Sequence, residues 1–184
     1  MSRWSAQQLE RDWERRASGY VSSLMTEPEP DAVEQLAARG DRDADHARWE
    51  LRYLRRAVGL LIAGRDALDD RTASMVGQAL ARAVEHDPSA APAMRLVSAS
   101  HFNARLRTYR DLMGQRGASQ TPVDRIGTAL IGFAGGDAAL NQSTWAESWV
   151  SAELDRCNEG LRREFGTADL PEDVAPSAML LPKR

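Results

Sequence analysis

Three side chains at the start of a predicted helix have the types that bind metal ions, namely Asp43, His46 and Glu50. His46 and Glu50 stand four residues apart, so they share one face of that helix. Carboxylate and imidazole groups suit transition metals, but a closed cage needs further ligands, and the chain has only two other histidines, His86 and His101. The sequence contains no Glu-x-x-His motif of the kind found in di-iron helical bundles. A metal-dependent enzyme is therefore one hypothesis, and a capped helix start with a polar pair is the simpler interpretation.

A nucleophile is the next candidate. Cys157 is the one thiol of the chain, and no G-x-S-x-G motif marks a serine nucleophile. Cys157 falls on an apolar stripe between Leu154 and Leu161, which predicts a core residue rather than a reactive one. No glycine-rich loop precedes Lys-Ser or Lys-Thr, so the phosphate-loop motif is absent. These observations favour a protein without catalytic activity, and no motif indicates a cofactor.

A cluster of arginines marks one side of the helix predicted over residues 45–67, namely Arg48, Arg52, Arg55 and Arg56. Guanidinium groups bind carboxylates and phosphates through paired hydrogen bonds, so this cluster is a candidate surface for an acidic partner. Because the chain also has 27 acidic residues, pairing within the molecule is the alternative.

Aromatic residues supply two further candidates. Trp145 and Trp149 stand one helical turn apart and flank an apolar stripe, so they belong either to the core or to a partner surface. Four other aromatic residues would line a cavity between helices that binds a small apolar ligand or cofactor. They are Trp49, Tyr53, Phe102 and Tyr109.

The elements that position these residues are predicted to be helices, because apolar residues recur at three- and four-residue steps. A capping box at Ser5 and Gln8 opens the first helix, and Thr121 followed by Pro122 opens the sixth. Gly40 is expected to end the second helix in the left-handed conformation. Seven helices are predicted, over residues 5–24, 31–39, 45–67, 70–86, 90–113, 122–134 and 146–165. The fourth is capped at residue 69 or 70, and the fifth begins at residue 89 or 90. The third has apolar residues on a wide arc, which predicts a central position.

The expected architecture is all-α: a single globular bundle of about six to seven helices over residues 1–166. An irregular, extended C-terminal tail follows over residues 167–184. The tail contains three prolines, which exclude a helix of any length, yet it carries the apolar triplet Met179, Leu180 and Leu181. Such a triplet favours contact with the chain's own domain or with a neighbour.

Composition narrows the function further. The formal net charge is −3, which opposes a protein that mainly binds nucleic acid. The longest near-apolar runs are about eight residues, well below the ~20 that a membrane-spanning helix needs. One thiol and the lack of a secretory signal predict a cytoplasmic protein. The preferred hypothesis is a non-catalytic protein–protein interaction module, a subunit or accessory component of a larger assembly or a homo-oligomer.

Overall fold

The computed structural model describes residues 6–66, 70–115, 119–137 and 144–166. Within these ranges the chain forms seven α-helices and one 3-10 turn, and no strand. The helices are α1 (Ala6–Leu24), α2 (Pro30–Ala37), α3 (Ala44–Asp66), α4 (Asp70–Glu85), α5 (Arg95–Gly114), α6 (Pro122–Phe133) and α7 (Thr144–Phe165), and the 3-10 turn is Pro92–Met94. The all-α prediction is confirmed.

Helix α3 is the centre of the bundle, as its wide apolar arc predicts. It packs against each of the other six helices. Its apolar residues Leu51, Leu54, Val58 and Ile62 are completely buried. Because neighbours surround the middle of α3, even its polar side chains there must find partners inside the protein.

Close packing of α1 against α3 depends on a glycine, whereas the contact of α1 with α7 leaves room for a Cβ atom. A Cβ atom on Gly59 of α3 would overlap the side chain of Leu24, and one on Gly160 of α7 would lie 3.4 Å from the ring of Tyr20. The hydroxyl of Tyr20 donates a 3.0 Å hydrogen bond to the carbonyl oxygen of Gly59. These contacts place α1 directly over the middle of α3.

The ends of helices α6 and α2 confirm one prediction and correct another. Thr121 caps α6 and forms a reciprocal capping box with Asp124. Gly40 does not adopt the left-handed conformation; among the described residues only Gly135 and Gly166 have positive φ. Gly40 is instead required because a Cβ there would overlap the carbonyl oxygen of Ala134.

Helix α5 begins at Arg95, about five residues later than predicted. Ala91 is extended, at φ −55° and ψ 141°, because a residue before proline avoids helical geometry and Pro92 follows it. The carboxylate of Asp87 accepts a hydrogen bond from the backbone N–H of Ser89 and so holds the preceding turn. This late start leaves the segment before α5 free to form one wall of a cleft.

Two predictions concern residues outside the described ranges. They are the capping-box serine, Ser5, and the whole tail with Met179, Leu180 and Leu181. In the part of the chain that the structure describes, none of the helices is long and apolar enough to cross a membrane.

Candidate functional site

A cleft of about 780 Å³ lies between the first turns of α3 and the segment that leads into α5. Two of its sides come from regions distant in sequence, which the helix packing brings together. The lining residues are Glu27, Asp43, Asp45, His46, Arg48, Trp49, Glu50, Arg52, Tyr53, Ser89, Ala90, Ala91, Met94, Val97, Ser98 and His101. The cleft therefore contains the three predicted metal ligands, two of the four predicted arginines and two of the four predicted pocket aromatics.

The three predicted metal ligands are each engaged by groups of the protein, and His46 Nε2 also lies 3.7 Å from the carboxylate of Glu50. Asp43 accepts a 2.8 Å hydrogen bond from the backbone N–H of His46 and thereby caps α3. His46 Nε2 lies 2.8 Å from the carbonyl oxygen of Phe133, which can only accept, so this nitrogen carries the proton. Glu50 receives two hydrogen bonds from Arg105, at 2.7 and 2.8 Å. Over the described ranges, no group of three potential ligands is arranged to hold a metal ion.

The predicted arginine surface is wrong for Arg55, which is only 1% exposed. Its guanidinium donates two hydrogen bonds to Glu153 of α7, at 2.7 and 2.9 Å, and a third to the carbonyl oxygen of Thr26. Burial alone would lower the pKa of Arg55, but its hydrogen bond and charge interaction with Glu153 raise the pKa overall. Because helices cover the middle of α3 on all sides, this arginine forms its ion pair inside the bundle and not with a partner.

Arg56 is the second arginine that the structure removes from the surface, and it too is 1% exposed. It donates a 2.6 Å hydrogen bond to Asp87. Burial would raise the pKa of Asp87, yet the Ser89 N–H and the charge of Arg56 lower it overall. Burial lowers the pKa of Arg56 although the charge of Asp87 opposes it, and two guanidinium nitrogens, Nε and Nη1, are buried without a hydrogen-bond partner among the described residues.

The other two arginines lie at the cleft. Arg52 is largely buried in its floor, where it pairs with Glu27 and lies 4.5 Å from the centre of the Trp49 ring. The side chain of Arg48 is 39% exposed and pairs with Asp45 at 3.1 Å. Of the four predicted arginines, only Arg48 therefore presents its charge to solvent as predicted.

Only two of the four predicted pocket aromatics line this cleft. Trp49 and Tyr53 line the cleft, with ring centres 5.5 Å apart. Phe102 and Tyr109 are buried in the core, and Tyr109 packs edge-on against Phe133 instead. The helical spacing predicted that all four side chains face inward, but it did not distinguish residues that line the cleft from residues that are buried in the core.

The polar groups of the cleft are mostly satisfied by one another. The hydroxyl of Tyr53 donates to Ser98 at 3.2 Å, and burial raises its pKa. Asp43 and Asp45 are exposed at the mouth of the cleft, and the weak surface pair with Arg48 leaves the carboxylate of Asp45 accessible to a basic group. The cleft therefore offers a ligand an aromatic and aliphatic surface with an acidic border.

The exposed apolar residues beside the cleft are not among those predicted from the sequence. Three large apolar side chains stand out from the first turn of α5 and the turn before it: Met94 is 52% exposed, Leu96 86% and Val97 42%. We call these three residues the apolar patch. The signal was present, because Leu96 and Val97 are six and five residues before Phe102 and so fall off the buried stripe of α5. Met94 and Val97 line the cleft itself.

The tryptophan pair lies away from this cleft, on the first turns of α7. Trp145 and Trp149 are partly buried, with near-parallel rings whose centres are 6.4 Å apart. The guanidinium of Arg39 lies 4.8 Å from the centre of the Trp145 ring. The pair thus extends from the core to the surface, as its position beside the apolar stripe predicts.

Cys157 is a core residue, as predicted. It is 2% exposed, and burial raises the pKa of its thiol to about 12. A thiol with this pKa stays protonated near neutral pH and is a poor nucleophile.

Comparison with known proteins gives no relative for this molecule: no family model, curated protein or solved structure matches the chain.

Proposed function

We propose that the protein is a cytoplasmic, non-catalytic helical interaction module, acting as a subunit or accessory component of a larger assembly. The partner-binding surface in this proposal is the cleft at the start of α3 together with the apolar patch of Met94, Leu96 and Val97. Arg48 and Trp49 belong to the same surface.

One observation carries the proposal. Of the large apolar side chains in the described ranges, four are exposed, and three of these form the apolar patch. Single exposed apolar residues need no explanation, whereas three within four consecutive positions, two of which line a cleft, favour a binding site. Trp49 in the cleft adds an aromatic side chain of the type that contributes most to binding energy at protein interfaces.

The charges of the cleft indicate the chemistry of the partner. Glu27 and Glu50 are paired with Arg52 and Arg105 inside the molecule. Asp45 remains largely exposed, at 71% of its side chain, and Asp43 is exposed beside it. Complementary charge favours the correct partner and disfavours acidic ones. The partner we propose is therefore a polypeptide segment with two or three aliphatic side chains next to a basic residue.

The test uses the full chain with an N-terminal affinity tag as bait in an extract of its source cells. Wild-type protein is compared with Val97→Arg and with Leu9→Arg. Leu9 is 44% exposed and lies on α1, whereas Val97 is 42% exposed, so the two changes are matched in exposure. Each captured protein is then purified and titrated against all three chains by calorimetry.

We expect a partner whose Kd rises about tenfold or more for Val97→Arg, a loss of ~1.4 kcal/mol in binding free energy, and is unchanged for Leu9→Arg. A second copy of this chain would be detected in the same titrations as self-association with the same dependence on Val97. A wild-type chain that captures nothing beyond what Val97→Arg captures would contradict the proposal, as would a purified partner that binds all three chains equally.

A further inference from the structure

We infer that residues 177–184 of the same chain bind the cleft and the apolar patch in cis, as a resident competitor of the external partner. This inference rests on the proposed function, since it names a regulatory ligand of the same surface. It joins two features that the rest of the molecule does not explain: an apolar patch that the described residues leave exposed, and an apolar triplet that lies outside the described ranges.

The chemistry of the segment matches that expected of the partner. Met179, Leu180 and Leu181 supply three consecutive large apolar side chains, and Lys183 and Arg184 follow after one proline. The patch offers three large apolar side chains that are 42–86% exposed. Asp43 and Asp45 stand at the border of the same cleft, where they complement the two basic residues.

The segment is long enough to reach the site. Met179 follows Gly166, the last described residue, by thirteen positions along the chain. At ~3.3 Å per residue an extended linker of this length spans about 43 Å. A compact domain of this size has a radius of gyration of roughly 16 Å, so the extended linker is longer than twice this radius. The three prolines of the region favour an extended backbone over a helix.

Tethering makes a weak contact effective. A ligand joined to its site by a short linker has an effective concentration in the millimolar range. A segment with a Kd of about 1 mM for the cleft would therefore occupy it about half of the time. An external partner must displace the segment, and its apparent affinity falls in proportion to the open fraction.

A single lysine makes the inference directly testable. Lys183 is the only lysine of the chain, so an amine-to-carboxylate cross-linker of zero length reports the position of the segment. The full chain is treated with a carbodiimide, the monomer band is isolated, and cross-linked peptides are identified by mass spectrometry. We expect amide bonds from Lys183 to Asp43 or Asp45 within the monomer.

Three matched variants of the full chain define the contact. Leu180→Ser/Leu181→Ser removes the aliphatic groups of the segment, and Val97→Arg disrupts the patch; each is expected to abolish the Lys183 cross-links to Asp43 and Asp45. Leu9→Arg changes an equally exposed residue of α1 and is expected to retain them. Lys183→Arg keeps the charge without the reactive amine, and it identifies which products come from this residue.

Three results would overturn the inference. They are the absence of Lys183 cross-links, cross-links spread over carboxylates elsewhere with no dependence on Val97, and cross-links found only in a dimer band. The last would assign the site to a second copy. None of these decides whether an external partner binds the patch, because the calorimetric comparison of Val97→Arg with Leu9→Arg measures that separately.

Discussion

Arg48 and Arg55 lie two turns apart on α3 and have the same side chain, but their surroundings differ completely. Arg48 pairs with Asp45 of its own helix, and both side chains are exposed. Arg55 pairs with Glu153 of another helix, and the two side chains are each 1% exposed. One ion pair lies at the open cleft and the other lies in the centre of the bundle.

The difference shows that the type and spacing of charged residues do not decide whether those residues form ion pairs in the core or remain accessible to a partner. An exposed pair at short sequence separation contributes little to stability, because water already solvates both groups. A buried pair must be retained as a pair, since either group alone would stay unsolvated. Removing one member of an interior pair is therefore expected to destabilise the bundle, whereas substitutions at the cleft are expected to change binding without changing the fold.

Removing the buried carboxylate should produce the largest effect. Glu153→Ala leaves the guanidinium of Arg55 buried without its bidentate partner, and we expect the free energy of unfolding to fall by about 3–5 kcal/mol. Asp45→Ala is the matched control at the cleft, where a change within about 0.5 kcal/mol is expected. Urea unfolding followed by circular dichroism measures both.

A double substitution sharpens this prediction. Replacing both partners by apolar residues, as Arg55→Met/Glu153→Leu, removes the unpaired charge, and the stability should recover most of the loss. Equal losses for the single and double variants would mean that packing at this position, rather than charge, stabilises the contact.

The second buried pair gives a pH-dependent effect. Asp87→Asn leaves Arg56 without a counter-ion, and we expect a loss of about 2–3 kcal/mol at pH 7. The folded pKa of Asp87 lies below its unfolded value. The stability that this carboxylate contributes is therefore complete above the unfolded pKa of about 4 and disappears as the pH falls through the folded pKa.

Unfolding of wild type and Asp87→Asn at a series of pH values measures this contribution. The difference between the two proteins should narrow as the pH falls below about 4. A difference that stays constant down to the acid unfolding of the bundle would show that the hydrogen-bond geometry, and not the charge of Asp87, stabilises the pair.

The helices were predictable because their signals are local. The 3.6-residue periodicity placed α3 at the centre, and Thr121 with Pro122 marked the start of α6. The partners of the buried arginines were not predictable, because Glu153 lies 98 residues from Arg55 along the chain. The cleft was not predictable either, because it forms where segments distant in sequence pack together. Trp49 and Tyr53 line the cleft, but sequence spacing did not distinguish them from Phe102, which is buried in the core.

Two glycines of α3 extend the comparison to packing. Gly59→Ala introduces a methyl group that overlaps the buried side chain of Leu24, and we expect a loss of about 1–3 kcal/mol. Gly64 lies on the same helix with open space around it, so Gly64→Ala should stabilise the protein by about 0.5–1 kcal/mol through helix propensity. Thermal unfolding of the two variants should shift the midpoint in opposite directions, and two shifts of the same sign would contradict this account of the α1–α3 contact.

The smallest change in stability is expected at the cleft itself. Leu96 is 86% exposed, so Leu96→Arg removes almost no buried apolar area, and the free energy of unfolding should stay within about 0.5 kcal/mol of wild type. Leu9→Arg, the control on α1, should also leave the free energy of unfolding within about 0.5 kcal/mol of wild type.

A second measurement, limited proteolysis after Lys183 and within residues 167–184, distinguishes the two variants if Leu96 and its neighbours contact the C-terminal segment. Cleavage should be faster in Leu96→Arg than in Leu9→Arg, because an undocked segment is more accessible to the protease. Equal cleavage rates would leave the apolar patch open to an external partner and remove the segment as its ligand.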